Sequence, residues 1–178
     1  MSTPPNEFQT NRLKFRGPVL ADAQAIFEEY AADPEATRYL TWVRHQTVET
    51  VAEFLELLIS QAGSEESFRW VLTLPGSERA IGMVAARVHG HMADIGYVLG
   101  RKHWGQGYMT EAVSEVTGRM LSRPEIFRVW AVCDVENAAS ARVLEKSNFE
   151  REGVLRRWIV HPNRSSEPRD CFVYGRVR

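Results

Sequence analysis

The chain has 178 residues, 44% hydrophobic and 25% charged, the make-up of one ordinary globular domain, which excludes intrinsic disorder, a collagen-like rod and a coiled coil. Lys and Arg number 22 against 23 Asp and Glu, and a net charge of -1 provides no global basic field for nucleic acid or an anionic membrane. No apolar run approaches the roughly 18 residues of a membrane helix, and the start MSTPPNEFQTNR lacks the basic and apolar regions of a signal peptide.

Residues 1–10 are polar, contain Pro4-Pro5 and read as a flexible N-terminus, with 11–178 as the folded domain. Leu13 and Phe15 alternate with Arg12, Lys14 and Arg16 in a short strand that Gly17-Pro18 ends. Asp22 caps a helix running to Ala32, and Pro34 forbids its continuation. Thr47 caps a second helix with Val51, Phe54, Leu55, Leu58 and Ile59 at helical spacing, and Gly63 stops it. Phe68, Trp70, Leu72 and Leu74 alternate up to a Pro75-Gly76 turn. Strands over 80–88 and 92–99, joined at His89-Gly90-His91, complete a meander. RKHWGQGYMTEA then opens a helix with Met109, Ala112, Val113, Val116 and Met120 on one face, ended by Pro124. A strand at 127–133, a helix at 137–147 capped by Asn137, and an antiparallel pair at 154–160 and 171–177 complete the order β-α-α-β-β-β-α-β-α-β-β. This is one α/β domain. Cys133 and Cys171 show no CxxC spacing and read as reduced thiols in a cytoplasmic protein. The His89-Gly-His91 pair sits on a hairpin turn, and no metal site is expected.

Trp104-Gly105-Gln106-Gly107-Tyr108-Met109-Thr110 joins a strand to an amphipathic helix. Two glycines one residue apart let the chain turn tightly and bring successive backbone N–H groups onto a ligand. The helix start adds orphan donors and the positive end of the dipole, an environment that suits a pyrophosphate. A tight strand–helix turn also calls for glycine on steric grounds alone. A dinucleotide-binding reading fails, because Thr110 stands where the third glycine of G-x-G-x-x-G belongs and an antiparallel meander precedes the turn. A P-loop fails for want of Gly-Lys-Ser/Thr. In the segment Asn137-Ala-Ala-Ser140 through Lys146-Ser-Asn148-Phe149, helix capping accounts for Asn137 and Asn148. It does not account for Ser140, one turn on.

With WGQGYMTEAV at 104–113 and NAASARVLEKSNF at 137–149 in this element order, the chain from about Leu13 to Arg176 resembles the GNAT N-acetyltransferases. Within them it is similar to the branch that acetylates ribosomal-protein N-termini. The resemblance implies a mixed, mostly antiparallel sheet flanked by helices, with acetyl-CoA as co-substrate and no metal. The family's pyrophosphate loop maps onto Trp104 to Met109, with Trp104 replacing the usual Gln or Arg. Backbone N–H groups of Gln106, Gly107, Tyr108, Met109 and Thr110 then wrap the phosphates, and the Met109 side chain must point away. Pantetheine pairs like an extra strand along Tyr97-Val98-Leu99, where Gly96 and Gly100 suit a bulge. Asn137 matches the residue that hydrogen-bonds pantetheine, and Ser140 the side chain that protonates the leaving thiolate. Lys146, Arg101 and Lys102 are candidates for the 3′-phosphate, with solvated charge as the plainer fate of each.

The family builds its acceptor side from the first two helices, their connecting loop and the last hairpin. Here these contribute Glu35, Tyr39, Trp42, His45, Arg157, Trp158 and His161, with Tyr39 and Trp42 equally readable as packing residues. The implied reaction is direct acetyl transfer to a primary amine of a protein N-terminus or a small molecule, by a monomer or homodimer. A backbone N–H near Val98 or Leu99 polarises the carbonyl, and the amine must shed a proton. The branch's proposed glutamate base falls at Ile159, and 154–160 contains no carboxylate. Asp94 acting through water, Glu35 and His45 are the other candidates; an amine arriving neutral needs none of them. That favours an α-amine, with a pKa of about 7.7–8.0, over a lysine-like amine near about 10.4. Two further readings stay open. One is a longer donor such as succinyl-CoA, met by Arg157 or His45; the other is a CoA-binding sensor without turnover, against which an intact Asn137 and Ser140 both count.

Overall fold

The computed structural model describes residues 6–61 and 66–178; Pro4-Pro5 and Gly63, which carry the proposed loose start and helix stop, lie outside them. Among the described residues eight strands form one sheet: β1 (Phe8–Gln9), β2 (Lys14–Arg16), β3 (Ser67–Thr73), β4 (Gly82–His89), β5 (Met92–Leu99), β6 (Arg128–Asp134), β7 (Glu150–Ile159) and β8 (Arg169–Val177). Their order is β1-β2-β3-β4-β5-β6-β8-β7, and each neighbouring pair is antiparallel except β5–β6. The helices are α1 (Ala23–Ile26), α2 (Val48–Ser60), α3 (Tyr108–Leu121) and α4 (Ala138–Lys146). No helix among the described residues is long and apolar enough to cross a membrane.

The two-residue period of the strands divides the core between the two faces of the sheet. Phe68, Trp70 and Leu72 of β3, Val84 and Ala86 of β4, and Ile95 and Leu99 of β5 pack with Met109, Val113, Val116 and Met120 of α3 and with Leu144 of α4. The opposite face offers Val71, Met83 and Val98 to Ile26, Val51, Leu55 and Leu58 from α1 and α2. Each helix therefore sits where its apolar stripe meets one parity of strand residues.

Several local expectations change. Phe8 and Gln9, expected within a flexible terminus, instead form a strand. Phe8 and Gln9 pair with β2, and the Phe8 ring stacks on Phe15 at 4.3 Å with Arg119 above it. Two residues are too few to display a strand period. The run after Leu20 is not one helix but a 3-10 turn over Leu20–Asp22, α1, and a π-helical turn over Phe27–Ala31. β7 starts at Glu150, four residues before the expected position, because Glu-Arg-Glu at an exposed sheet edge carries no apolar alternation. Thr47 caps α2 by accepting from Thr50 N–H, and Asn137 Oδ1 caps α4 by accepting from Ser140 N–H at 3.1 Å, as their positions suggest.

Asp22 stands at the N-cap position of α1, as expected, but its side chain makes no cap bond there. Its carboxylate takes the Val19 N–H at 2.9 Å and grips Arg16 through two bonds of 2.6 and 2.8 Å, with both side chains buried. Arg16 also donates to Glu78 O, tying β2 to the turn before β4. Removing Asp22 leaves the buried Arg16 with only the exposed Glu78 carboxylate, 3.3 Å away, as its charged partner; breaking a buried pair of this kind costs about 3–5 kcal/mol. Asp22→Ala is accordingly expected to lower the urea unfolding midpoint by a large margin, whereas an unchanged midpoint would show that the pair contributes nothing.

Candidate active site

β5 and β6 run together only from Met92↔Arg128 to Asp94↔Trp130, and beyond that register they part. The side of β5 that faces the opening follows from its alternation. Gly100 N–H donates to Ile81 O on the β4 side, while His91 O accepts from Phe127 N–H on the β6 side. The β4–β5 register is unbroken from Gly82↔Leu99 to His89↔Met92, so the bulge expected from Gly96 and Gly100 is absent there. Odd-numbered residues therefore turn their backbone groups to β6, which places those of Tyr97 and Leu99 along the gap. Val98 turns its backbone to β4 and its side chain to the α2 face, which removes it from the expected Tyr97-Val98-Leu99 contact strip.

At one end of the gap lies the turn into α3. Gly105 and Gly107 have φ of 74° and 79°, a region that L side chains rarely adopt, and Gly107 is the N-cap of α3. Glu111 N–H is bonded to Gly107 O, so Tyr108, Met109 and Thr110 present first-turn N–H groups with no intrahelical acceptor. The Met109 side chain is buried in the core, away from those donors. Trp104 indole N–H donates to Leu99 O at 2.8 Å, fastening the turn to the end of β5.

A residue without a sequence signal holds the turn from outside. Arg12 donates to Gln106 O at 2.8 Å and to Glu111 at 2.6 Å, with its guanidinium over the Tyr108 ring. In sequence it is one more charge on an amphipathic strand. Ser147 Oγ donates to Thr110 O, which brings the C-terminal end of α4, and with it Lys146, beside the start of α3. Arg101 and Lys102 lean the other way, toward Asp33 at 3.1 Å and Glu29 at 3.6 Å.

On the second wall, Ser140 in the first turn of α4 meets Tyr97 from β5, with 2.7 Å between the two hydroxyl oxygens. Cys133 of β6 also faces Ser140. Burial pushes the Cys133 thiol up to about 12 and the Cys171 thiol to about 11, so both free cysteines are poor nucleophiles at neutral pH. Asp94 does not reach this place. It lies three residues before Tyr97, on the opposite face of β5, where Arg87 Nε at 2.9 Å and His89 Nε2 at 2.7 Å occupy its buried carboxylate. The period of two that makes it a strand residue also turns it away from Ser140.

The acceptor-side residues fall into separate groups. Tyr39 accepts from Arg164 and stands edge-on to His161 at 6.0 Å, while Trp42 packs against His45 and Phe54. Asn163 joins these two aromatics to the turn after β7 by donating to Thr37 O and Trp42 O and accepting from Arg44 N–H. No sequence pattern marked that residue. Glu35 faces Arg38, and Trp158 stands 53% exposed on β7. His45 bonds Thr50 Oγ1 through Nδ1, and burial lowers its pKa. His161 is buried, with Nε2 3.7 Å from Asp134, and the same desolvation lowers its pKa. Among the described residues no group of three or more His, Cys, Asp or Glu is arranged to hold a metal ion.

Asp134 ends β6, and burial would raise its pKa, but the bonds from Arg169 and from Glu136 N–H outweigh that and lower it. Glu136 is lowered in turn by Arg169 and Arg164. A depressed folded-state pKa contributes stability above the unfolded value and loses it as pH falls through the folded one. The loss should begin below about pH 4. Urea midpoints measured from pH 7 to pH 2 should fall through that window, and Arg169→Met should lower the pH 7 value and flatten the fall. The same slope in Arg169→Met would contradict this role.

The model of the Acetyltransferase (GNAT) domain matches residues 12–150. The uncharacterized N-acetyltransferase YoaA of Bacillus subtilis is 30% identical over 174 residues, 96% of each chain. Among solved structures, MccE, the microcin C7 self-immunity acetyltransferase in complex with acetyl-CoA and AMP, superposes with a TM-score of 0.85 at 20% identity, covering 99% of both chains. The ribosomal-protein-S5-alanine acetyltransferase of Vibrio fischeri superposes with a TM-score of 0.80 at 21% identity, covering 96% of both. These two share the fold with this chain. Taken with the parted strands and the glycine turn into α3, the domain match and the YoaA identity show that the chain is an N-acetyltransferase of the GNAT family, which draws its acetyl group from acetyl-CoA.

Proposed function

We propose that the chain transfers acetyl directly from acetyl-CoA to a primary amine, with pantetheine lying in the gap between β5 and β6. The parting of these strands after Asp94 and Trp130 carries the reading. It leaves the backbone groups of Tyr97 and the N–H of Leu99 facing a space, and pantetheine, an extended chain with amides of its own, has the matching chemistry. The pyrophosphate then falls on the first-turn N–H groups of Tyr108, Met109 and Thr110, where the helix dipole favours an anion. Lys146 stands near for the 3′-phosphate, and Asn137, whose carbonyl oxygen already caps α4, turns its amide nitrogen to pantetheine.

Leu99 N–H is the donor assigned to the acetyl carbonyl, in place of Val98, because it alone of the two faces the gap. The amine nitrogen attacks the carbonyl carbon, the C–S bond breaks and sulfur keeps the electron pair. Ser140 donates toward that sulfur, and the proton shed by the amine ends on it. A longer acyl donor has less support. His45 is turned to Thr50, and the Arg157 guanidinium lies 3.5 Å from Glu167.

The acceptor amine arrives neutral in this scheme. Asp94 is enclosed by Arg87 and His89, Glu35 faces Arg38, His45 is bonded to Thr50, and Ile159 holds the place of the branch's glutamate. An α-amine is partly neutral near pH 7.5, whereas a lysine side chain is protonated almost completely, which at equal intrinsic reactivity separates them by about 10²-fold. Initial rates with acetyl-CoA and a peptide bearing either a free N-terminus or only a lysine amine test the proposal. The α-amine substrate should lead by about that factor at pH 7.5, and its kcat/KM should rise with pH to a plateau above about pH 8. Preference for the lysine peptide, or absence of turnover with every amine, would overturn the reading.

A further inference from the structure

We infer that Tyr97 is a positioning residue for departure of the CoA thiol: its phenol donates to Ser140 Oγ and frees the Ser140 hydrogen for the sulfur. The inference rests on the acetyl transfer proposed above and assigns a role within it. Tyr97 reaches from β5 across the closed end of the gap to the first turn of α4. Its oxygen lies 2.7 Å from Ser140 Oγ and 3.3 Å from Ser140 C=O. The first is an ordinary O–H···O distance, and the second lies beyond that range.

Two arrangements of hydrogens fit this pair of contacts. In one, the phenol donates to the Ser140 carbonyl and the serine hydroxyl donates to the phenol oxygen, which leaves no hydrogen for the gap. In the other, the phenol donates to Oγ, and the serine hydrogen is free to turn toward the sulfur. Negative charge developing on sulfur as the C–S bond breaks favours the second. No net proton leaves either hydroxyl, since the amine supplies the one that ends on sulfur. Burial raises the phenol's pKa above its ordinary value, so Tyr97 stays a donor throughout the working pH range. Cys133 faces the same serine, but a buried S–H is a weak donor and no substitute for the phenol.

Tyr97→Phe keeps the ring and removes only the hydroxyl. Steady-state kinetics of Tyr97→Phe, Ser140→Ala and the double variant test the role, with CoA affinity measured separately by calorimetry and melting temperature as the check on folding. The expected result for Tyr97→Phe is a loss of about tenfold in kcat, the size of one supporting hydrogen bond, with the KM for acetyl-CoA and the Kd for CoA unchanged. In the Ser140→Ala background the same substitution should cost nothing further. Full kcat in Tyr97→Phe, a raised KM at unchanged kcat, or an equal loss in both backgrounds overturns the role of Tyr97 while the proposed acetyl transfer stands. A wild-type chain that binds CoA but releases no thiol from acetyl-CoA overturns both.

Discussion

A parallel ladder that stops early leaves a problem in the middle of this sheet. β5 and β6 share three register pairs and then separate, although both strands continue for several residues beyond Asp94 and Trp130. Backbone N–H and C=O groups are strong hydrogen-bonding groups, and a central strand that leaves them unpaired forgoes the interaction that defines a sheet. The arrangement persists because the gap has walls of its own. Tyr97 and Ser140 close it on the α4 face, and the Trp104 indole meets the last carbonyl of β5. On the reading proposed above, the open side of β5 is the slot that takes pantetheine, an extended chain with amides.

Contacts distant in sequence converge on the rim of this slot. Thr10 and Arg12, from the segment between β1 and β2, bond Glu111 in the first turn of α3, and Arg12 continues to the carbonyl of Gln106. Ser147, at the other end of α4, bonds Thr110. The turn proposed to take the pyrophosphate is thus held from the β1–β2 segment and from the end of α4. Its own glycines supply the positive φ angles but little stiffness. On the opposite side, Asn163 fixes the segment from Thr37 to Arg44 against the turn after β7, so that Tyr39 and Trp42 are placed by side chain to backbone bonds.

Much of this was legible from residue order, because the signals are local. The caps at Thr47 and Asn137, the glycine turn before α3 and the meander of β3, β4 and β5 each occupy one short stretch. β1 was hidden in two residues, and the first half of β7 in a polar edge. Asp22 does stand at the N-cap of α1, but its carboxylate is taken by a buried Arg16 and the Val19 N–H instead of capping the helix. Asp94 and Tyr97 lie on one strand and both suit proton chemistry; only the parity of β5 and the positions of Arg87 and His89 separate them. Arg12 and Asn163 act through partners about a hundred residues away, and nothing in their neighbourhoods announces it.

Backbone amide exchange along β5, followed by NMR with and without acetyl-CoA, tests the central claim most directly. If acetyl-CoA lies along the open side of this strand, pantetheine pairing with Tyr97 and the acetyl carbonyl accepting from Leu99, both amides become strongly protected when acetyl-CoA is added. The Val98 amide, already turned to β4, changes little. Equal exchange at Tyr97 and Leu99 in the free and acetyl-CoA-saturated protein would contradict the account.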